Sequence, residues 1–509
     1  MLIKNLKTFI KHLQRNKLYA FITIFGFSIS LMFVILLSVY IQNELSADRF
    51  HDKKDRLYRL THGADAGFAC PSGDLLIQKF PDIESYTRLC EMESFAQVQN
   101  GEKVRVKFLM ADEAFFQMFD FKLLEGTANN ALKDKQSIVL SRSYALKLFG
   151  EMPKLGSLVK IHDDIEYKVT AIMEDMPDNT HFQKADAIID FPSLASLWHS
   201  TSVLTTYNNN SFGLYVLAKQ GTNLQTKLPA ILEEFKKVNW MFETGAKKTL
   251  EAENITDCYF SKSIGVGIQT NSKQRVQVLL AIVLLILMLA IVNYINLTIS
   301  QAGFRSKETA IRKLLGGQKW AFVLQYISES VLLCWLAMGI AIGLSYLAEP
   351  VVNQLLDTHL NLQAMLSLSD IVMAILFSAM VGVVSGILPA LKISSFDPIA
   401  VVKGTFRMKE KRIYSQVLVA FQYTLIIGLL IASFVIGKQT NYLQQFDVGF
   451  DKENIVSLNN ALDESQYESF KSEILKLPGV NHLCYVAGSP IDGGNNSTFR
   501  WKGEMISCQ

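Results

Sequence analysis

Nucleotide-binding and hydrolytic motifs are missing from this 509-residue chain: GxxxxGK[ST], GxSxG and HExxH do not occur. Without a phosphate-cradling loop, any ATP that drives the protein is bound by another polypeptide. No catalytic constellation marks the chain as an enzyme. Cysteine is scattered: Cys70, Cys90, Cys258, Cys334, Cys484 and Cys508 form no CxxC pair and no His-spaced cluster, so zinc and dithiol chemistry lack a motif. Cys70 and Cys90 are a candidate disulfide only if their domain faces an oxidising compartment. Charge is sparse at 19% and nearly balanced at +3, which implies no nucleic-acid partner. Half of the residues, 50%, are hydrophobic, too many for an ordinary soluble protein, yet the charge is too high for an all-membrane one.

Five apolar stretches suffice to cross a bilayer core, which takes about 20 helical residues. They cover 18–41, 276–300, 321–347, 371–391 and 417–437. The first outruns a signal-peptide core and no small-residue cleavage site follows it, so it reads as an uncleaved anchor. The absence of one sign of charge fixes the orientation. Ahead of the first span stand Lys4, Lys7, Lys11, Arg15 and Lys17 with no acidic residue, whereas the connection 348–370 has Glu349 and Asp357 but no Lys or Arg. The segments 301–320 and 392–416 are basic again. By the positive-inside rule the N-terminus is cytoplasmic, and 42–275 and 438–509 lie outside. The fold class is therefore an α-helical transmembrane bundle plus a mixed α/β outside domain.

Residues 1–17 carry Leu2, Ile3, Leu6, Phe9, Ile10 and Leu13 on one helical face and cations on the other. This reads as a helix lying on membrane lipid, or simply as a topology signal. In the outside domain, 138–140 predicts a strand running into a helix capped by Ser141 and stopped at Gly150. Residues 158–161 and 165–172 predict a hairpin turning at Asp163-Asp164, 227–240 an amphipathic helix, and 63–73 a loop. His51-Asp52 and His162-Asp163 lack a third partner at ligand spacing and read as surface or turn residues. Within the spans, Asn293, Asn296 and the Gly26-xxx-Ser30 pair read as helix-packing positions, and Pro389 as a kink or end of the fourth span.

The most informative segment is RSKETAIRKLLGG, Arg305 to Gly317, between the second and third spans. Glu308, Ile311, Arg312 and Leu315 recur at i, i+3, i+4 and i+7, one side of a short helix closed by a glycine pair. Such a helix is where a cytosolic motor can grip a membrane subunit. A charged loop that merely satisfies the positive-inside bias is the competing reading. Glu329, between Ser328 and Ser330 in the third span, is costly in hydrocarbon, about 2.5–3.5 kcal/mol on insertion scales. It either pairs with a Lys or Arg of the neighbouring helix or sits solvated at the boundary.

After the fifth span, KQTNYLQQFDVGFDKENIVSL echoes the IQNELSADRFHDKKDRLYRL that follows the first, with Phe450 in the place of Phe50. It reads as the opening of a second copy of the module, cut short by truncation.

NYINLTISQAGFRSKETAIRKLLGGQKWAFVLQYISESVLL from Asn293, SGILPALKISSFDPIAVVKG from Ser385 and VLVAFQYTLIIGLLIASFVIGKQ from Val417 resemble the FtsX-like permease family, which includes the membrane subunits akin to the macrolide exporter MacB. FFQMFDFKLLEG and YKVTAIMEDMPDNTHF are similar to the MacB-type periplasmic core domain of that family. The apparent two-module plan is similar to large permeases of Bacteroidetes-type bacteria. The resemblance implies an ABC transporter permease in the bacterial inner membrane, partnered with a separate cytosolic ABC ATPase that binds the ATP; this chain needs no cofactor of its own. It implies a dimer or pseudo-dimer of permease modules and a periplasmic adaptor or outer-membrane partner. It also implies efflux of antimicrobial peptides or macrolide-like compounds, or lipoprotein export. An FtsX-like regulator that controls cell-wall hydrolases without transport is the alternative. The family's coupling helix maps onto Arg305, Glu308, Arg312, Lys313, Leu315 and Gly316; from the residues themselves, Ile311 reads as a second apolar anchor beside Leu315, and Glu329, paired with a cation of that helix, as the group that transmits its tilt. The chain departs from the family pattern at Thr309-Ala310, where Ile-Gly is frequent, and at Gly317, where Ala is usual, changes expected to loosen the helix end.

Overall fold

The computed structural model describes residues 14, 17–98, 101–161, 165–263, 265, 267–300, 309–356, 358, 360, 362, 367–395, 412–447, 454–458, 462, 464–485, 488–489, 493–494, 497–501 and 504–508. The surface helix expected over 1–17 falls outside these residues except for Gln14 and Lys17, as do Arg305, Glu308, His162, the turn at Asp163-Asp164, and Phe450.

Five helices are long and apolar enough to cross a membrane: Lys17–Leu45, Lys273–Ser300, Lys319–Leu356, Leu368–Ser394 and Arg412–Gln445. The third continues to Leu356, so the first part of the connection placed at 348–370 is helical. The fourth runs past Pro389 to Ser394 instead of ending there. In hydrocarbon a broken helix strands its backbone polar groups, which favours continuing through a proline.

The first four helices share a core of Phe27, Leu31, Ala290, Tyr294, Leu333, Ala337, Ala341 and Val381. Third and fourth helices come into close contact at two glycines one turn apart. A Cβ on Gly382 would lie 2.7 Å from Val331 Cα, and one on Gly386 would lie 2.5 Å from Ser330 Oγ. Small residues here let the backbones approach. Gly26 is not such a contact, since nothing lies within 4 Å of its Cβ position; Ser30 Oγ donates within its own helix to Gly26 O at 3.0 Å. Asn296 is buried, and its side-chain N and O have no partner among the described residues.

Between the first and second long helices stands an α/β domain around one twisted sheet. Its strands are β1 (Leu57–Thr61), β2 (Gly67–Phe68), β3 (Ile83–Gln97), β4 (Val104–Ala111), β5 (Leu123–Glu125), β6 (Ser137–Ser141), β7 (Leu158–Ile161), β8 (Ile165–Met173), β9 (Ala187–Asp190), β10 (Phe212–Ala218) and β11 (Glu251–Asn254). The spatial order is β11-β1-β10-β3-β4-β9-β6-β8-β5, with β2 beside β10 and β7 bridging β3 and β8. β4 with β9 and β6 with β8 are parallel; the other pairs are antiparallel. A Phe115, Phe119, Phe121 and Phe182 cluster fills the core with Tyr215 against it.

Local sequence signals are met at β6. Ser141 Oγ accepts the Tyr144 N–H at 3.3 Å, capping the helix Arg142–Phe149, and Gly150 ends it at φ 78°. The hairpin β7–β8 forms, with Val159 opposite Tyr167 and Ile161 opposite Ile165. Two expectations are corrected. The loop expected at 63–73 contains β2, and a helix starts at Ser72 (Ser72–Lys79). The helix over 227–240 spans Leu228–Val238 and breaks at Asn239, whose side chain caps a further turn, Trp240–Glu243. An Asx cap outcompetes helix continuation at that point. Cys70 and Cys90 are both buried and both free, so the candidate disulfide is absent.

Candidate functional site

Where the first long helix enters the α/β domain, the chain makes a knot of buried polar groups. Asp48 is fully buried at φ 57°, a left-handed conformation that Asp tolerates better than most residues. Its carboxylate accepts Thr180 Oγ1 at 2.7 Å, His181 N at 3.0 Å and His181 Nδ1 at 2.9 Å. A carboxylate only accepts, so His181 Nδ1 carries a proton, and its Nε2 lies 2.9 Å from the Tyr215 hydroxyl, a second hydrogen bond that holds the ring in place. Burial by itself would raise the Asp48 carboxyl, but the His181 charge and the hydrogen bonds from His181 and Thr180 outweigh it. They hold the group well below the usual carboxylate range.

His51 joins the same knot. Asp120 N–H donates to its Nδ1 at 3.0 Å, and its ring packs on Phe50, Phe119 and Phe121. It is fully buried, which corrects its reading as a surface residue. Sequence spacing missed this because its partners lie some seventy positions away or three residues back across a left-handed turn. One turn earlier, Glu44 accepts Tyr259 Oη at 2.7 Å and Asn271 Nδ2 at 2.5 Å. Asn271 lies two residues before the start of the second long helix. Both helices therefore enter the domain through a single hydrogen-bonded joint.

At the opposite end of the bundle, residues 309–314 are helical. Gly316 N–H bonds to Lys313 O at 3.0 Å and Gly317 N–H to Arg312 O at 3.0 Å, with Gly316 at φ 91°. This is a Schellman end, and it explains the glycine pair: the first supplies the left-handed turn. The second supplies room, because a Cβ on Gly317 would lie 2.7 Å from Phe322 Cζ and 2.9 Å from Arg312 O. The expected loosening at Gly317 is thus not what the structure has; the missing methyl seats Phe322. Ile311, Leu314, Leu315 and Trp320 are exposed at 54, 55, 83 and 65%. Arg312 is exposed beside them. Lys313 turns inward, its Nζ donating to Ser394 O at the end of the fourth long helix, where a cation complements the helix dipole.

A ladder of side-chain and backbone bonds ties this segment to the bundle. Thr309 Oγ1 and Tyr326 Oη are 2.6 Å apart, Ser330 Oγ donates to Tyr326 O at 3.0 Å, and Ser330 Oγ meets Tyr294 Oη at 2.7 Å. Glu329 lies buried in this layer and accepts Gln325 Nε2 at 3.1 Å. The ladder was not legible beforehand, since each member is an ordinary polar residue in an apolar run. Among the described residues no group of His, Cys, Asp and Glu could hold a metal.

A bundle of membrane-length helices carrying an α/β domain between its first two members is the architecture of a multi-pass membrane permease. Residues 20–231 match the MacB-like periplasmic core domain and residues 280–398 the FtsX-like permease C-terminal domain. The chain belongs to the FtsX-like, MacB-type permease family. Relatives include the macrolide export ATP-binding/permease protein MacB of Neisseria meningitidis, 22% identical over 294 residues, 56% of this chain and 42% of that protein. MacB of Syntrophobacter fumaroxidans is 33% identical over 129 residues, 25% of this chain and 17% of its own length. The chain spans less than half the length of these relatives, and the matched models are permease parts. Among solved structures, the periplasmic region of MacB from Actinobacillus actinomycetemcomitans aligns at 15% identity and a TM-score of 0.31, covering 40% of this chain and 89% of that one.

Proposed function

We propose that this protein is the membrane subunit of an ABC transporter, moved by a separate cytosolic ATPase and passing that motion to its α/β domain outside the membrane. The carrying observation is the exposed Ile311, Leu314, Leu315 and Trp320 beside Arg312, on a helix end fixed to the third and fourth long helices. An apolar surface of this kind on a cytoplasmic connection needs a protein cover. The apolar anchors supply most of the grip, and Arg312, with Arg305 and Glu308, sets orientation, since exposed ion pairs are worth about 0–1 kcal/mol each. Lys313 and Gly316 hold the segment's shape, and Glu329 carries its tilt into the third helix. The names of the relatives speak for efflux of macrolide-like compounds; antimicrobial-peptide efflux and lipoprotein export are the other activities the family resemblance suggests. The module echo supports a dimer or pseudo-dimer in the bacterial inner membrane with the N-terminus inside, reaching an adaptor or outer-membrane partner.

Co-expression with an ABC ATPase encoded beside this chain tests the proposal. Wild type is expected to retain the ATPase through purification, whereas Arg312→Glu with Leu315→Glu loses it while still inserting into the membrane. Undiminished recruitment by the double variant contradicts the assignment.

A further inference from the structure

A cavity of about 360 Å³ runs between the first, third and fourth long helices, at the end of the bundle nearest the α/β domain. Leu31, Val34 and Met338 form its buried floor. On the open side Met373 is 69% exposed, so the cleft opens sideways out of the bundle. Water does not settle in so apolar a space, and an empty cleft would forfeit the dispersion contacts of its walls. Beside a spanning bundle the medium on that open side is hydrocarbon. The rim is different in kind: Gln42 and Asp370 stand at the domain end, and the described residues lining the cavity include no Lys or Arg. Ser367 Oγ donates to Asp370 and holds its carboxylate there. Apolar floor and anionic rim follow the polarity of an amphiphile with a cationic head.

We propose that this cleft binds one acyl chain of an aminophospholipid from the leaflet next to the α/β domain, its ammonium group held at Asp370 and Gln42. The occupant is a resident membrane lipid, so the inference stands apart from the ATPase coupling above and rests only on the bundle spanning a bilayer.

The test uses the full chain in mild detergent, delipidated and then offered phosphatidylethanolamine or phosphatidylglycerol, with retained lipid counted by native mass spectrometry. Wild type should keep phosphatidylethanolamine and not phosphatidylglycerol. Ala374→Trp and Ser38→Trp, which fill the cleft from opposite walls, should each lose it without lowering the unfolding temperature. Asp370→Asn should keep a lipid but lose the head-group preference, and it decides the matter should both tryptophan variants fail to fold. Equal retention of both lipids by wild type, or full retention by the tryptophan variants, would overturn the proposal. So would a photo-crosslinker at Met373 that captures a polypeptide rather than a lipid.

Discussion

Asp48 concentrates the chemistry of the joint between membrane and domain. Holding a non-glycine residue left-handed costs about 1–2 kcal/mol, while each hydrogen bond to a charged group returns about 1.5–3 kcal/mol. The turn survives because three such bonds converge on one carboxylate. Asp48→Asn removes the charge opposite His181 and is expected to destabilise the domain by about 3–5 kcal/mol, the range for breaking a buried pair. Thermal unfolding against Asp52→Asn, on the surface, checks this. Because the folded carboxyl sits below its unfolded value, its contribution is complete above the unfolded pKa, about 3.9. It is lost as pH falls below that point. Lys247 is shifted in the same direction, but for a cation that shift costs stability, and the cost is relieved as pH rises. Burial is the main cause that pushes its amine down to about 8, while its Nζ donates to Gly67 O at 2.5 Å beside Phe68 and Phe242. The unfolded chain binds more protons between about pH 8 and 10.4, so stability should rise with pH across that window. In Lys247→Met, melting curves should show that rise flattened; an unchanged rise would remove Lys247 as its source.

Among the elements, the segment 309–317 shows how two glycines divide the work of one helix end. Gly316→Ala forces a side chain into the left-handed turn and is expected to cost about 1 kcal/mol, fraying the Schellman end. Gly317→Ala instead presses on Phe322. Hydrogen exchange at 312–317 should accelerate in both variants, because a Cβ at 317 also crowds Arg312 O, the acceptor of the Gly317 N–H bond. Element by element, legibility follows locality. Ser141, Gly150 and the β7–β8 alternation were readable because caps and pleats are set by neighbouring residues. His51, His181 and Glu44 were not, because their partners arrive from strands and turns far along the chain. The exposed apolar face was read from the spacing of Ile311 and Leu315, but Lys313 belongs to the fourth helix's end, a contact that no spacing within the segment reveals.

Seen whole, the chain has a hydrogen-bonded joint at one end of its bundle and an uncovered apolar surface at the other, the latter fixed to the bundle by the Thr309–Tyr326 and Ser330–Tyr294 contacts. The five spans, their basic connections and the family likeness were legible in composition and motif. The joint, the ladder and the lateral cleft needed packing to become visible. That these two ends face opposite compartments is the claim on which coupling depends. It is tested by impermeant thiol labelling of Leu315→Cys and Lys160→Cys in a background with Cys484→Ser and Cys508→Ser, using intact spheroplasts. Lys160→Cys should react at once and Leu315→Cys only after permeabilisation. Labelling of Leu315→Cys in intact spheroplasts would place the coupling surface outside the cell and contradict the account.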